Sequence, residues 1–266
     1  FNCLICSREF GLLHMIVIKF GGHAMGEHSR KWASEIASRF KLGERFVIVH
    51  GGGPQIDKEL ARRGIEKSSV NGFRITTPEI MEVVEFVLTG SVLRSVVRDL
   101  IAAGLPAVGI TGSDNQLLEV EIRDEAKFGL VGKIKRVNSK IINDLLDMGY
   151  LPVISPVAND SSSRALNVNA DIAAGAIAGS LRASETLFLT DVPGIYSAWP
   201  DRSSLITQIA ISDLKKISFE GGMVPKVEAV INAIESGASS ARVIDGTSLS
   251  AFIDALSGDG GTLVKP

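Results

Sequence analysis

Cysteine is almost absent from this chain: Cys3 and Cys6 sit near the start and no other follows. That excludes a disulfide scaffold and fits a cytoplasmic enzyme. A Cys-x-x-Cys pair can supply half a zinc site, but no second pair completes it, and a solvated leader is the better reading. Long apolar runs are missing too. None reaches the ~18–20 residues a membrane span needs, so no membrane partner is expected. Nor does charge of one sign dominate. Lys and Arg number 28 against 30 Asp and Glu, a formal net charge of −2, which leaves no basic footprint for nucleic acid. The four histidines, His14, His23, His28 and His50, show no metal-ligand spacing and read as structural or solvated. No Ser/His/Asp or Cys/His nucleophile arrangement stands out, and no protein-built metal site is expected.

Two nucleotide signatures are also lacking. There is no G-x-x-x-x-G-K-[ST], since Gly129-Leu130-Val131-Gly132-Lys133 fails in spacing, and no G-x-G-x-x-G. A P-loop enzyme and a Rossmann dehydrogenase are thereby disfavoured.

What is present is an alternation of short apolar runs and helix-like stretches over 266 residues, enough for one large α/β domain or two lobes. Strands are expected at 15–20, 45–50, 107–110, 151–155, 186–189 and 241–244. Helices are expected at 30–41, 55–63, 78–103, 138–148, 170–181, 224–236 and 249–256. Thr77 can cap the helix that Pro78 opens. Segments 117–123 and 131–137 alternate apolar and polar residues and read as a hairpin with one wet face. Such a chain predicts a three-layer αβα sandwich around an open, mainly parallel sheet, with ligands beyond the carboxyl ends of its strands.

The glycine turns fall at those ends. Val47-Ile48-Val49-His50 runs into Gly51-Gly52-Gly53-Pro54, and Lys19-Phe20 into Gly21-Gly22. Glycine lets backbone N–H groups approach an anion, and a helix N-terminus adds unpaired N–H groups and partial positive charge. Two such turns after successive strands suggest phosphoryl transfer. Lys19 is placed for phosphate contact. Arg74, after the turn Asn71-Gly72-Phe73, could clamp a carboxylate. In Asn167-Val168-Asn169-Ala170-Asp171, Asn169 can cap the following helix and leave Asn167 and Asp171 for other work. Thr190-Asp191-Val192-Pro193-Gly194-Ile195 follows another strand. In Gly221-Gly222-Met223-Val224-Pro225-Lys226, a lysine at a helix start opposes the helix dipole, a local conflict that hints at function.

Taken in order, these motifs resemble the amino-acid kinase family and, within it, the acetylglutamate kinases, from about Met15 onwards. The Lys-Gly-Gly and triple-glycine turns are shared widely in that family; the Asn-Gly-x-Arg, Asn-Val-Asn-Ala-Asp and Gly-Gly-Met-x-x-Lys elements are more specific. The resemblance implies ATP-dependent phosphorylation of the side-chain carboxylate of N-acetyl-L-glutamate, in arginine biosynthesis. It implies an acceptor lobe over 15–166 and an ATP lobe over 167–266 sharing one sheet, with residues 1–14 a leader or appended segment. Lys19 and Lys226 would be the transition-state cations, with Asp171 holding both. Gly52, Gly53, Arg74 and Asn167 would bind the acceptor. Gly21, Gly22, Thr190, Asp191, Gly194, Ile195, Gly222 and Met223 would lie along the nucleotide, and Mg²⁺ would be held mainly through that nucleotide. The run 260–264 resembles the family's usual end, which implies a nearly complete chain. The leader is short and poorly periodic for the helix that links dimers in hexameric members, so a homodimer is expected, with a hexamer as the alternative. Rival readings are a kinase acting on carrier-linked aminoadipate and a non-catalytic nucleotide sensor on the same fold.

Overall fold

The computed structural model describes residues 14–22, 27–70, 72–220 and 223–266. Cys3, Cys6, His23, Asn71, Gly221 and Gly222 lie outside them, as does most of the leader.

The chain opens with strand β1 (Met15–Phe20), helix α1 (Glu27–Lys41), β2 (Arg45–His50) and α2 (Gly53–Arg62). A small hairpin, β3 (Ser69–Val70) and β4 (Phe73–Arg74), precedes α3 (Pro78–Glu85), a π-helical turn (Phe86–Val92) and α4 (Leu93–Ala102). Next come β5 (Ala107–Thr111), β6 (Leu118–Ile122), α5 (Glu125–Phe128), β7 (Gly132–Val137), α6 (Lys140–Asp147) and β8 (Leu151–Ser155). A short hairpin, β9 (Val157–Asn159) and β10 (Ala165–Asn167), leads into α7 (Ala170–Ser180) and β11 (Glu185–Thr190). The chain finishes with β12 (Ile195–Tyr196), β13 (Leu205–Ile206), β14 (Gln208–Ala210), α8 (Ile211–Leu214), α9 (Met223–Glu235), β15 (Ala241–Asp245), α10 (Leu249–Leu256) and β16 (Thr262–Lys265).

Eight strands form the central sheet in the order β14-β16-β15-β11-β1-β2-β8-β5. Its neighbours run parallel except β15 and β16. Strands such as Ile16-Val17-Ile18 are apolar on both faces because helices cover both faces. Ile16, Ile18, Phe20, Ile48 and Val153 meet α1, α3, α4 and α10, where Trp32 stacks on Phe252 with ring centres 5.0 Å apart. Val17, Val47, Val49 and Phe188 meet α7 and α9. The expected αβα sandwich is therefore the observed one.

Helix α7 is rich in Ala and Gly because it is wedged between the sheet and α9. A Cβ on Gly179 would stand 2.3 Å from the Ser236 side chain. The helix expected over 78–103 is interrupted by the π-helical turn, which contains Gly90 and in which the Thr89 hydroxyl donates to the Glu85 carbonyl at 2.7 Å. π-turns inside helices gather at functional sites, and this one packs Leu88 against the triple-glycine turn. The hairpin expected over 117–137 is present as β6 and β7, with α5 in its connection and Asp124 capping α5. Among the described residues no helix is long and apolar enough to cross a membrane.

Candidate active site

Strand β1 is central, with β2 on one side and β11 on the other. From β1 the chain first builds β2, β5 and β8 on one side of the sheet and only later β11, β15 and β16 on the other, so the carboxyl ends of β1, β2 and β11 open a crevice. The two glycine turns meet there. A Cβ on Gly22 would fall 2.4 Å from Pro54 Cδ, and one on Gly52 would fall 2.6 Å from Leu88 Cδ2. A side chain at Gly22 would push the two turns apart, and one at Gly52 would press on Leu88 and Val92 of the π-helical turn. Pro54 is the second residue of α2, where a missing N–H costs nothing because the first N–H groups of a helix have no partner within it.

Three adjoining clefts follow the strand ends. The first, about 300 Å³, is lined by Gly51, Gly52, Gly53, Arg74, Asn167 and Asp171 among others. The second, about 450 Å³, is lined by Gly21, Gly22, Thr190 and Asp191, and by both Lys19 and Lys226. The third, about 690 Å³, is lined by Tyr196, Trp199, Phe219 and Met223, and again by Asp191 and Lys226. Lys19 and Asp171 belong to both the first and the second cleft. The lysines thus mark the seams of one continuous groove.

Lys19 pairs with Asp171 at 2.9 Å, both side chains being largely buried. Asp171 sits in the first turn of α7. Asn169 caps that turn, its side-chain oxygen accepting the N–H groups of Asp171 at 2.9 Å and Ile172 at 3.2 Å. Lys226, in the first turn of α9, pairs with Asp191 at 3.1 Å. Ion pairs thus join Asp171 to Lys19 and Asp191 to Lys226.

The first cleft has a wall of linked polar groups. Asn167 donates from Nδ2 to the Thr76 hydroxyl at 3.0 Å, and Thr76 donates to the Arg74 carbonyl at 2.9 Å. The Arg74 guanidinium pairs with Asp57 on α2, which also takes Lys67 at 2.5 Å. Burial pushes the Asp57 carboxyl up, but hydrogen bonds from Lys67 and Arg74 outweigh it and hold the carboxyl below its usual range. At the base of the glycine turn, burial lowers His50 to about 4, against a smaller upward push from its bond to the Gly51 carbonyl. Asp57, Thr76 and Leu88 went unread in the sequence. Only Thr76, inside the Asn-Gly-Phe-Arg-Ile-Thr run, carried a usable signal; an acid one turn into a helix and a leucine in a long apolar helix carry none.

The other nucleotide-side residues divide. Gly21, Gly22, Thr190, Asp191 and Met223 line the groove. The Thr190 hydroxyl lies 3.0 Å and 3.2 Å from the Val192 and Ile244 carbonyls and thus anchors its own turn. Gly194 and Ile195 are buried, with the Ile195 N–H given to the Thr262 hydroxyl at 2.8 Å, and they do not line the clefts. Gly222 lies outside the described residues. Among the described residues no three His, Cys, Asp or Glu side chains converge to hold a metal ion.

The fold is a mainly parallel α/β sandwich whose strand ends carry two glycine turns, with two lysines on the seams of a divided groove. Residues 14–245 match the amino acid kinase family profile, and the chain belongs to that family. It is similar to an acetylglutamate kinase of Mycobacterium sp. (strain JLS), 43% identical over 87% of this chain and 83% of that one. It is likewise similar to an acetylglutamate kinase of Beutenbergia cavernae, 42% identical over 95% of this chain and 85% of that one. In fold it matches the crystal structure of smu.665 from Streptococcus mutans UA159, with a TM-score of 0.81 and 24% identity over 96% of this chain and 99% of that one.

Proposed function

We propose that this chain is an acetylglutamate kinase, which transfers the γ-phosphoryl group of ATP to the side-chain carboxylate of N-acetyl-L-glutamate in arginine biosynthesis. The observation that carries this reading is the pair of lysines on the seams of the groove, Lys19 beside a small polar cleft and Lys226 beside a larger aromatic one. Over the chain this divides an acceptor lobe, 15–166, from a nucleotide lobe, 167–266.

The acceptor carboxylate has an ordinary pKa of about 4.3 and is ionised at neutral pH, so no general base is required. One of its oxygens forms a bond to the γ-phosphorus while the bond from phosphorus to the β,γ-bridging oxygen breaks. The bridging electron pair leaves with ADP, and the product is an acyl phosphate. Two anions resist this approach. Lys19 and Lys226 offset that repulsion, and the unpaired N–H groups at the start of α2 hold acceptor oxygens. Arg74 takes the α-carboxylate and Asn167 the acyl amide. Asp171 fixes the Lys19 ammonium against the first cleft.

Both carboxylates at the seam, Asp171 and Asp191, are engaged by lysines. Mg²⁺ would therefore take most of its ligands from nucleotide oxygens and water. When bound it neutralises phosphate charge. The exposed Phe86 and Ile101 on the helical layer, at 58% and 54% exposure, are surface that a homodimer would cover. Light scattering on the purified chain tests that assembly.

The deciding experiment is ATP- and Mg²⁺-dependent acyl phosphate formation, trapped as hydroxamate, with N-acetyl-L-glutamate, free glutamate and N-acetyl-aminoadipate. Signal confined to N-acetyl-L-glutamate supports the assignment. Its absence with ATP binding intact overturns it in favour of another acceptor or a sensing role.

A further inference from the structure

His50 is a buried titratable group that the transfer above does not use. It ends β2, is fully buried, and immediately precedes the triple-glycine turn. Its Nδ1 lies 2.9 Å from the Gly51 carbonyl oxygen. A carbonyl only accepts, so Nδ1 carries the ring proton and Nε2 of the neutral ring is a bare acceptor. That Nε2 is buried without a partner, and so is the Ser155 hydroxyl. In the parallel pairing of β2 with β8, Ile48 is opposite Val153 and Val49 opposite Ile154. The next step sets His50 beside Ser155, on the sheet face that carries Ile48 and Val153. A hydroxyl donor and an imidazole acceptor, each otherwise orphaned, are therefore neighbours at the inter-strand spacing of ~4.8 Å, within reach through side-chain rotation or one buried water.

The other end of this line is the glycine turn. In a trans peptide the C=O and the following N–H point in opposite directions. Holding the Gly51 oxygen on the imidazole turns the Gly52 N–H away from it. Among the described residues the Gly52 N–H reaches no backbone acceptor, and Gly52 lines the first cleft.

We propose that His50 is a positioning residue for the acceptor: with the Ser155 hydroxyl on Nε2 and Nδ1–H on the Gly51 carbonyl, it fixes the peptide that aims the Gly52 N–H into the first cleft. This role rests on the reading of that cleft as the acceptor site. Burial holds the ring neutral at working pH, and a neutral ring keeps the Nε2 acceptor that the Ser155 hydroxyl requires. An apolar residue would fill the same volume without leaving polar atoms to satisfy. The hydrogen bonds are thus what distinguishes histidine from leucine at this position.

The test is made on the full chain in the hydroxamate assay. Asn can place an amide N–H where Nδ1–H stands, whereas Leu cannot. His50→Leu is expected to raise KM for N-acetyl-L-glutamate at least ~10-fold with KM for ATP within ~2-fold, and His50→Asn to return it within ~3-fold of the unmutated value. Equal defects in the two variants, or a defect shared with ATP, overturn the role. Nitrogen NMR of the imidazole in the unmutated protein gives a readout independent of whether the variants fold. A proton on Nδ1 with Nε2 bare at pH 7 is expected; a proton on Nε2, or on both nitrogens, overturns the proposal. Failure of the unmutated chain to phosphorylate N-acetyl-L-glutamate overturns the acceptor reading and this role together. Turnover with the wrong tautomer overturns this role alone.

Discussion

Around Arg74 the groove is walled by polar groups tied to one another: Asn167 to Thr76, Thr76 to the Arg74 carbonyl, and Arg74 to Asp57. Around Trp199 it is walled by rings, with Tyr196 edge-on to Trp199 at 5.1 Å and Phe219 and Met223 beside them. In the first region the side chains are held before any ligand arrives. The second is more than twice as large, and Trp199 is 58% exposed. Under the proposed function the contrast matches what each region would recognise. A small dicarboxylate-like acceptor offers little apolar area, so its binding depends on charged donors already in place. A purine offers a flat face that any aromatic surface can take, so approximate placement suffices.

The lysines between the regions should dominate any test of this contrast. Lys19→Ala or Lys226→Ala is expected to lower kcat by ~10² to 10³-fold, as for other groups that stabilise developing charge. Steady-state kinetics with both substrates checks this, and unchanged kcat in both variants would erase the seam as the site of chemistry.

His50 under the acceptor side gives the next largest effect, on stability rather than rate. The unfolded chain protonates this ring as pH falls through 6.5, while the folded chain does so only near 4. Between those values the unfolded state binds more protons, so stability falls as pH falls. The loss attributable to His50 reaches about 3 kcal/mol at the lower end. Urea melts at pH 7 and pH 4.5 measure it, and His50→Asn should flatten the dependence over that window.

Arg74→Ala sharpens the comparison from the acceptor side. Loss of a charged hydrogen bond should raise KM for N-acetyl-L-glutamate by ~10-fold or more and leave KM for ATP nearly unchanged. A defect confined to ATP would reverse the assignment of the two clefts. Trp199→Ala should do the converse and more weakly, raising KM for ATP about fivefold. Because the chain's other tryptophan, Trp32, is fully buried, ATP should also quench the Trp199 emission. Inorganic triphosphate, which has no base, should not.

Much of this groove was legible before any coordinates. Gly51, Gly52 and Gly53, Arg74, Asn167 and Asp171 could be read from the chain, and the fold brings them to one cleft. Asn169 could be read as the cap that leaves Asn167 and Asp171 unspent, because capping depends on a side chain and the N–H groups two or three residues on. Asp57 could not be read, because its meaning is set by Arg74 and Lys67, which reach it across a separate hairpin. The π-helical turn could not be read either, since 78–103 has unbroken helical character. Its wider turn is visible only against Gly52 and the sheet. The two- and three-residue strands escaped for the same reason: each exists only through its partner.

The sequence by itself determined the alternation of elements, the parallel sheet and the two glycine turns at strand ends. Those rest on side-chain periodicity and on the freedom of glycine, which act over a few residues. Only the tertiary structure decided which charges meet. It gave Asp171 to Lys19, Asp191 to Lys226 and Asp57 to Arg74. Coulombic and hydrogen-bond partners are chosen by distance in space, and in this chain the crossovers between β1, β2, β8 and β11 set that distance.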